Sequence, residues 1–299
     1  MDSQMIDQLQ SLLHQVTGID FRQYKRDFLE RRTLKRIQEL HLKRNSHYLK
    51  FIKNNPGEVT IFLKNLTVDH TYFFRDPNKF KALKDFIVPD LLREKTRLRI
   101  WSAGCAGGEE PYSISIIICD LLGGEINGQD IIIYGTDINE TLLERARRGV
   151  YERGQISLRE VDSSYLERYF EPAGNRFILK KRVKDLVRLS KSNLIYDKPL
   201  VGINIIFCKN VLIYLDGEAT RRIILNFYHS LNRGGYLFLG NFELLEDYFL
   251  PYFEKVKIYG EFIYRKITAG SRTYEEMLKK QRHIKAVLSY EKLGKKAIN

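Results

Sequence analysis

The chain reads as an α/β protein: a mainly parallel sheet covered by helices, preceded by a small all-helical domain. Three observations predict this. Residues 1–75 place apolar side chains at helical spacing and contain no alternating β-branched run. From about residue 76, short apolar strands alternate with helices, the pattern of a parallel sheet with both faces covered. The final two strands, 254–259 and 261–265, are separated by Gly260 alone, which predicts an antiparallel hairpin at the sheet edge.

The elements follow in order. Residues 4–16 set Met5, Ile6, Leu9, Leu12, Leu13 and Val16 on one helical face. A second helical stretch spans 21–42, with Phe21, Tyr24, Phe28, Leu34 and Ile37 among many charges. Asn54-Asn55-Pro56-Gly57 reads as a breaker, and 58–66 as a short helix. Residues 79–92 form the next helix. Strand 98–101, helix 110–122, strand 131–134 and helix 140–148 come after it, then strand 203–207, helix 218–231 and strand 236–239. Between 152 and 194 the pattern is interrupted. Residues 177–183 and 186–189 predict a small antiparallel excursion, placed at about 171–189. The predicted organisation is a helical domain at 1–75, an α/β domain at 76–266 and a basic tail at 267–299. In the tail Tyr274, Met277, Ile284, Val287 and Leu288 can share one helical face.

Bulk composition narrows the class. The chain has 299 residues, 43% hydrophobic and 29% charged, as in soluble globular proteins. No apolar run approaches the ~20 residues of a membrane helix, and no secretory leader is visible, so a cytoplasmic location is expected. Cys105, Cys119 and Cys208 lack paired metal-ligand spacing, so reduced thiols and no metal site are expected. The net charge is +13 and unevenly spread. Residues 22–53 carry a net +8 and residues 265–299 a net +7, around a nearly neutral middle. Such ends predict an acidic partner: nucleic acid, an anionic membrane face or an acidic protein.

The turn Ser102-Ala103-Gly104-Cys105-Ala106-Gly107-Gly108 joins the first strand to a helix that begins Glu109-Glu110. Glycines permit a tight turn and close approach of a ligand. The spacing is not that of a dinucleotide site, and two carboxylates at the helix start would repel a pyrophosphate. A cationic, phosphate-free ligand suits them better, and S-adenosylmethionine (SAM) carries both a sulfonium and an ammonium. The alternative is that Glu109 and Glu110 only complement the helix dipole. The second strand ends in Gly135-Thr136-Asp137. Its carboxylate stands where an adenosine ribose is held and can also cap the following helix, the two roles not being exclusive.

Four stretches then carry a resemblance. They are Thr71-Tyr72-Phe73-Phe74-Arg75-Asp76-Pro77, Ala103 through Ser113, Gly135 through Asn139, and Ile206 through Tyr214. Together they resemble the CheR chemotaxis protein methyltransferases, in order, from about residue 5 to about 266. The resemblance implies a class I SAM-dependent methyltransferase fold and transfer of a methyl group from SAM to glutamate side chains of methyl-accepting chemoreceptors. S-adenosylhomocysteine is the second product, and no metal takes part. It implies that Thr71 and Arg75 face the cofactor, with Arg75 near the transferred methyl. It also implies that Gly104 lies in the cofactor turn and that Glu109, with Glu110, serves the methionine end. Asp137 would hold the ribose, Asn193 and Leu194 the adenine, and Lys209 and Asn210 would stand beside the cofactor. Tyr214 would face the methyl and the incoming carboxylate, so Arg75 and Tyr214 are the catalytic candidates.

The chain departs from the family pattern at Ala106-Gly107, at Lys209 where arginine is usual, and at Gly240-Asn241-Phe242-Glu243 where Gly-His-Ser-Glu is usual. Lysine keeps the charge but loses the planar fork. The short excursion at 171–189 lacks the glycine-rich turn of members that dock on a receptor's C-terminal peptide, so no such tether is expected. The basic stretch should dock on the acidic receptor bundle, with Arg32 and Arg36, four apart, on one helix face. A monomer is expected, touching membrane-associated receptor arrays peripherally. Two rivals remain. One is a nucleic-acid methyltransferase, against which the Lys209-Asn210-Val211-Leu212 turn lacks the prolines of base-amino enzymes. The other is a non-catalytic SAM-binding module of a receptor array.

Overall fold

The computed structural model describes residues 3–66, 71–94, 97–123, 130–154 and 156–267. The tail face built on Tyr274, Met277, Ile284, Val287 and Leu288 therefore lies outside the described residues.

Four helices open the chain: α1 (Ser3–Thr17), α2 (Arg26–Glu39), α3 (Asn45–Asn54) and α4 (Pro56–Leu66). They enclose their own core of Leu9, Leu13, Phe28, Tyr48 and Phe62. α3 is an element the sequence reading passed over. The expected breaker interrupts the helices for one residue, Asn55, because Pro56 opens α4. Proline suits that place, since a helix's first turn has no use for its missing N–H.

The α/β part begins with α5 (Pro77–Ala82), which runs through a π-turn (Leu83–Ile87) into α6 (Val88–Glu94). Then come β1 (Arg97–Ala103), α7 (Glu109–Leu121), β2 (Asp130–Asp137) and α8 (Glu140–Arg148). A small three-stranded sheet follows, made of β3 (Val150–Glu152), β4 (Phe170–Ala173) and β5 (Arg176–Leu179), with α9 (Ser163–Tyr169) between β3 and β4. α10 (Lys181–Lys184) leads to β6 (Val187–Lys191), and the chain continues through β7 (Ile203–Cys208), α11 (Gly217–Ser230), β8 (Leu231–Leu239), β9 (Phe253–Ile258) and β10 (Glu261–Lys266).

The main sheet has seven strands in the order β6-β2-β1-β7-β8-β10-β9. The first five are parallel, and β10 runs antiparallel to both β8 and β9. One expectation is corrected. The apolar run at 186–189 belongs to the main sheet, where β6 pairs in parallel with β2, and the small antiparallel sheet recruits β3 in its place. An apolar run of that length fits either sheet, and its edge position is decided by distant pairing.

Two apolar layers cover the sheet. Ile100, Ile133, Phe207 and Phe238 face one, and Trp101, Ile206, Leu237 and Tyr264 the other. β1 neighbours β2 on one side and β7 on the other, so the strand order reverses there, the usual place for a ligand in an open α/β sheet.

The helical domain is tied to this edge. Lys25 N donates to Tyr214 O (2.9 Å) and Asp216 N to Gln23 O (2.9 Å), flanking an antiparallel bridge between Tyr24 and Leu215. All three cysteines are free and buried. Among the described residues no helix is long and apolar enough to cross a membrane, and no cluster of His, Cys, Asp and Glu could hold a metal ion.

Candidate active site

The strand tips at the reversal point open into one cleft with two chambers. An apolar chamber of about 140 Å³ is walled by Tyr24, Ile138, Leu142, Leu194, Ile195 and Ile223. A polar chamber of about 80 Å³ is walled by Thr71, Tyr72, Arg75, Glu110 and Lys209. Gly104, Ala106, Asn210, Val211 and Tyr214 line both.

The floor is the turn after β1. Gly104 N and Cys105 N both donate to Thr136 O (2.8 and 2.9 Å), which folds the turn over the tip of β2. Gly104 has φ +82°, and a Cβ there would stand 2.5 Å from a Val211 methyl, so only glycine fits. Asp137 also lines the apolar chamber. Its carboxylate accepts from Ala106 N and Asn139 N, both 2.9 Å. It does not cap α8, because the Asn139 side chain takes the N–H groups of Thr141 and Leu142. Asn193 and Leu194 line the same chamber, held to the β2 tip by Ser192 N donating to Asp137 O (2.9 Å).

The two adjacent carboxylates at the start of α7 have separate fates. Glu110 faces the polar chamber, accepts from Ser102 Oγ (2.7 Å) and lies 3.6 Å from Lys209 Nζ. Burial pushes its carboxyl above the ordinary value, while Lys209 pulls the other way. Glu109 lines neither chamber. It turns into the body of the domain, fully buried, and pairs with Arg145 at 2.9 Å. Of the two carboxylates expected at the methionine end, Glu110 therefore lines the cleft and Glu109 does not. Successive helix positions point about 100° apart, and here Arg145 draws the first of the pair away from the cleft.

The segment 71–76 is held from behind. Phe73 and Phe74 are buried, Phe74 N donates to Ser113 Oγ (2.9 Å), and Phe73 meets Tyr151 and Phe170 edge-on. Phe74 and Asp76 take left-handed backbone angles (φ 57° and 64°), a strained arrangement that turns Arg75 into the polar chamber. Lys209 holds this segment. Its ammonium bonds the Arg75 carbonyl, pairs with Asp76 at 3.2 Å and sits 4.9 Å over the Phe80 ring. Lys209 thus lines the chamber, but its charge is engaged by the protein.

Asn210 also has φ +61°, and its Oδ1 is buried without a hydrogen-bond partner. It belongs to a loop gathered on one carboxylate. Glu243 Oε1 accepts from the N–H groups of Val211, Leu212 and Ile213, and Oε2 from those of Asn210 and Gly240, at 2.7–3.2 Å. The next residue, Tyr214, packs on Phe28 of α2 with ring centroids 4.6 Å apart. Burial raises its hydroxyl pKa, and the charges of Arg32 and Arg75 moderate the rise.

Sequence reasoning missed two of these residues. Tyr24 read as an ordinary helical aromatic, yet it lines the apolar chamber, and burial, aided by Asp137, pushes its hydroxyl up to about 12. Glu243 was visible only as one member of an altered tetrapeptide. No local signal showed where its carboxylate pointed.

Of the two docking candidates, Arg32 lies over the Phe28 ring at 5.4 Å, close enough for its charge to act on Tyr214. Arg36 is a correction. Its guanidinium grips Glu58 of α4 through two hydrogen bonds (2.7 and 2.8 Å) and also bonds Glu39, and Glu58 is 3% exposed and accepts from Tyr48. Arg36 holds α2 to α4 and is not available to a partner. Arg36→Ala should cost about 3 kcal/mol by leaving a buried carboxylate unpaired. Chemical denaturation checks this, and an unchanged midpoint would refute it.

The pocket suits SAM on its own evidence. One end is apolar and carries the Asp137 carboxylate, and the polar end offers Glu110 and the unpartnered Asn210 Oδ1 to an ammonium. Comparison with known proteins agrees. Residues 69–259 match the family model described as CheR methyltransferase, SAM binding domain, and residues 4–67 match the CheR methyltransferase all-alpha domain. Chemotaxis protein methyltransferase 2 of Vibrio cholerae is 32% identical over 238 residues, covering 77% of this chain and 82% of the relative. Chemotaxis protein methyltransferase 1 of Pseudomonas aeruginosa is 32% identical over 263 residues, covering 85% and 94%. The Escherichia coli chemotaxis protein methyltransferase is 32% identical over 252 residues, covering 81% and 85%. A helical domain clasped to a mainly parallel sheet at a SAM cleft, with both parts matched in order, makes the chain a member of the CheR family of SAM-dependent methyltransferases.

Proposed function

We propose that the enzyme transfers the methyl group of SAM to glutamate side chains of methyl-accepting chemoreceptors. The observation that carries this reading is the pairing of Arg75 and Tyr214 at the polar chamber, beneath a basic helix. A guanidinium there can hold an incoming carboxylate by charge-assisted hydrogen bonds. Glutamate is already ionised at neutral pH, with an ordinary pKa of about 4.3, so no general base is needed.

Each residue then has one task. Arg75 fixes the nucleophilic oxygen. Tyr214, its hydroxyl pKa raised, stays protonated and donates one hydrogen bond. Lys209 acts through the Arg75 backbone and is a positioning residue. Glu110 and Asn210 take the ammonium end of SAM, Asp137 the ribose, and Asn193, Leu194 and Tyr24 the adenine. Bound SAM supplies an electrophilic methyl on a sulfonium. The protein contributes alignment and exclusion of water, with effects of several kcal/mol. Arg31 and Lys35, side chains 69% and 66% exposed and held only in surface pairs with Asp27 and Glu39, join Arg32 as the face of α2 offered to an acidic receptor bundle.

Binding should depend on pH through Glu110. Its raised carboxyl takes up a proton as pH falls, and the neutral form no longer attracts an ammonium. Calorimetry from about pH 8 down to about pH 5 should show SAM affinity falling, and Glu110→Gln should bind weakly with a flatter profile. A wild-type profile that the variant reproduces would refute the role. The reaction itself is tested by incubation with methyl-labelled SAM and receptor-bearing membranes. Label on the receptors that mild base releases supports a carboxyl ester, and label that resists base rules it out.

A further inference from the structure

The turn after β8 presents two large apolar side chains to solvent. Phe242 is 88% exposed and Leu244 is 65% exposed, while Glu243 between them points inward at 5%. Isolated exposed apolar residues are ordinary, but these two flank Glu243 in a turn whose Asn241 and Glu243 are both fixed. Asn241 Nδ2 donates to Asp76 Oδ1 (3.2 Å), beside Arg75, and Asn241 also bonds Lys79. On the other side of Phe242, Glu243 takes the N–H of Ile213, beside Tyr214. The turn is therefore pinned next to both residues that meet the substrate carboxylate.

We propose that Phe242 and Leu244 form an apolar docking rim for the helical receptor segment that carries the methylated glutamate. The inference rests on the methylation reading above and adds to it how the segment is recognised. A segment that delivers a side chain to Arg75 and Tyr214 must pass close to this turn. The α2 rim offers Arg31, Arg32 and Lys35 to its acidic positions. The 242–244 rim offers apolar surface and no charge. Together they select an amphipathic helix with apolar residues three or four positions from the target glutamate, where they share its face. Phe242 and Leu244 then choose among acidic segments that α2 alone would accept equally.

The test uses the full chain and a purified cytoplasmic fragment of a chemoreceptor from the same cell, with labelled SAM. Phe242→Ala with Leu244→Ala should raise KM for the fragment about tenfold, the scale of a lost aromatic anchor, with a smaller effect on kcat. SAM affinity by calorimetry should match the wild type, which shows that the variant is folded. A KM equal to that of the wild type, on a fragment the wild type methylates, overturns the rim while leaving the reaction intact. Failure of the wild type to methylate any fragment overturns the reaction and the rim with it. A wild-type dimer that the double variant converts to a monomer in sedimentation, with KM unchanged, assigns the patch to a second copy of this chain and overturns the proposal.

Discussion

Arg75→Ala should lower kcat for methyl transfer about 100- to 1,000-fold, the usual loss when one preorganised donor at a reacting group is removed. The residue is held from three sides: Phe73 and Phe74 buried behind it, left-handed backbone at Phe74 and Asp76, and Lys209 on its carbonyl. Such fixation matters because a displaced guanidinium leaves the substrate oxygen off the methyl–sulfur axis. SAM affinity should change less than kcat, since Asp137, Glu110 and the apolar chamber remain. Arg75→Lys should recover only part of the rate, having charge without the fork. Single-turnover kinetics with SAM in excess checks this. A variant with wild-type kcat and altered SAM affinity alone would make Arg75 a cofactor ligand only.

The second large effect is expected at Glu243, which touches neither chamber. Its two oxygens collect five backbone N–H groups and set the loop on which Asn210 and Tyr214 ride. A Cβ on Gly240 would lie 2.6 Å from Glu243 Oε2, so this neighbour too is shaped around the carboxylate. In Glu243→Gln an NH2 group replaces one acceptor and faces donors. At least two N–H groups then lose their partner, at about 1–3 kcal/mol each. We expect a stability loss of about 3 kcal/mol and, well below the melting temperature, a fall in kcat of about 100-fold from misplacing the loop by roughly 1 Å. A purely structural residue would lower stability and leave the kcat of the folded enzyme alone. Parallel denaturation and steady-state assays separate the two outcomes.

The strand tips were legible in the sequence because their residues are chemically marked. Glycines at a tight turn and an aspartate after an apolar strand show in the chain itself, and the family resemblance supplied Asn193, Leu194 and Asn210. Gly104, Asp137, Asn193, Leu194 and Asn210 accordingly meet in one cleft. What stayed illegible was direction and distance. Glu109 and Glu110 are neighbours, and only packing shows that Arg145 claims the first. Arg32 and Arg36 share a helix, yet the partner of Arg36 is Glu58, on another helix. The strand at 187–191 looks like its antiparallel neighbours until β2 pairs with it. Tyr24 becomes a pocket residue only because the helical domain is bridged to the sheet at Leu215.

The most direct test of the account is to identify the methylated atom. A chemoreceptor fragment should be incubated with SAM and the enzyme, digested and mapped by mass spectrometry. The account predicts methyl esters on glutamate side chains, present with the wild type and nearly absent with Arg75→Ala. Methyl groups on lysine or arginine nitrogen, or on added nucleic acid in place of the receptor, would contradict it.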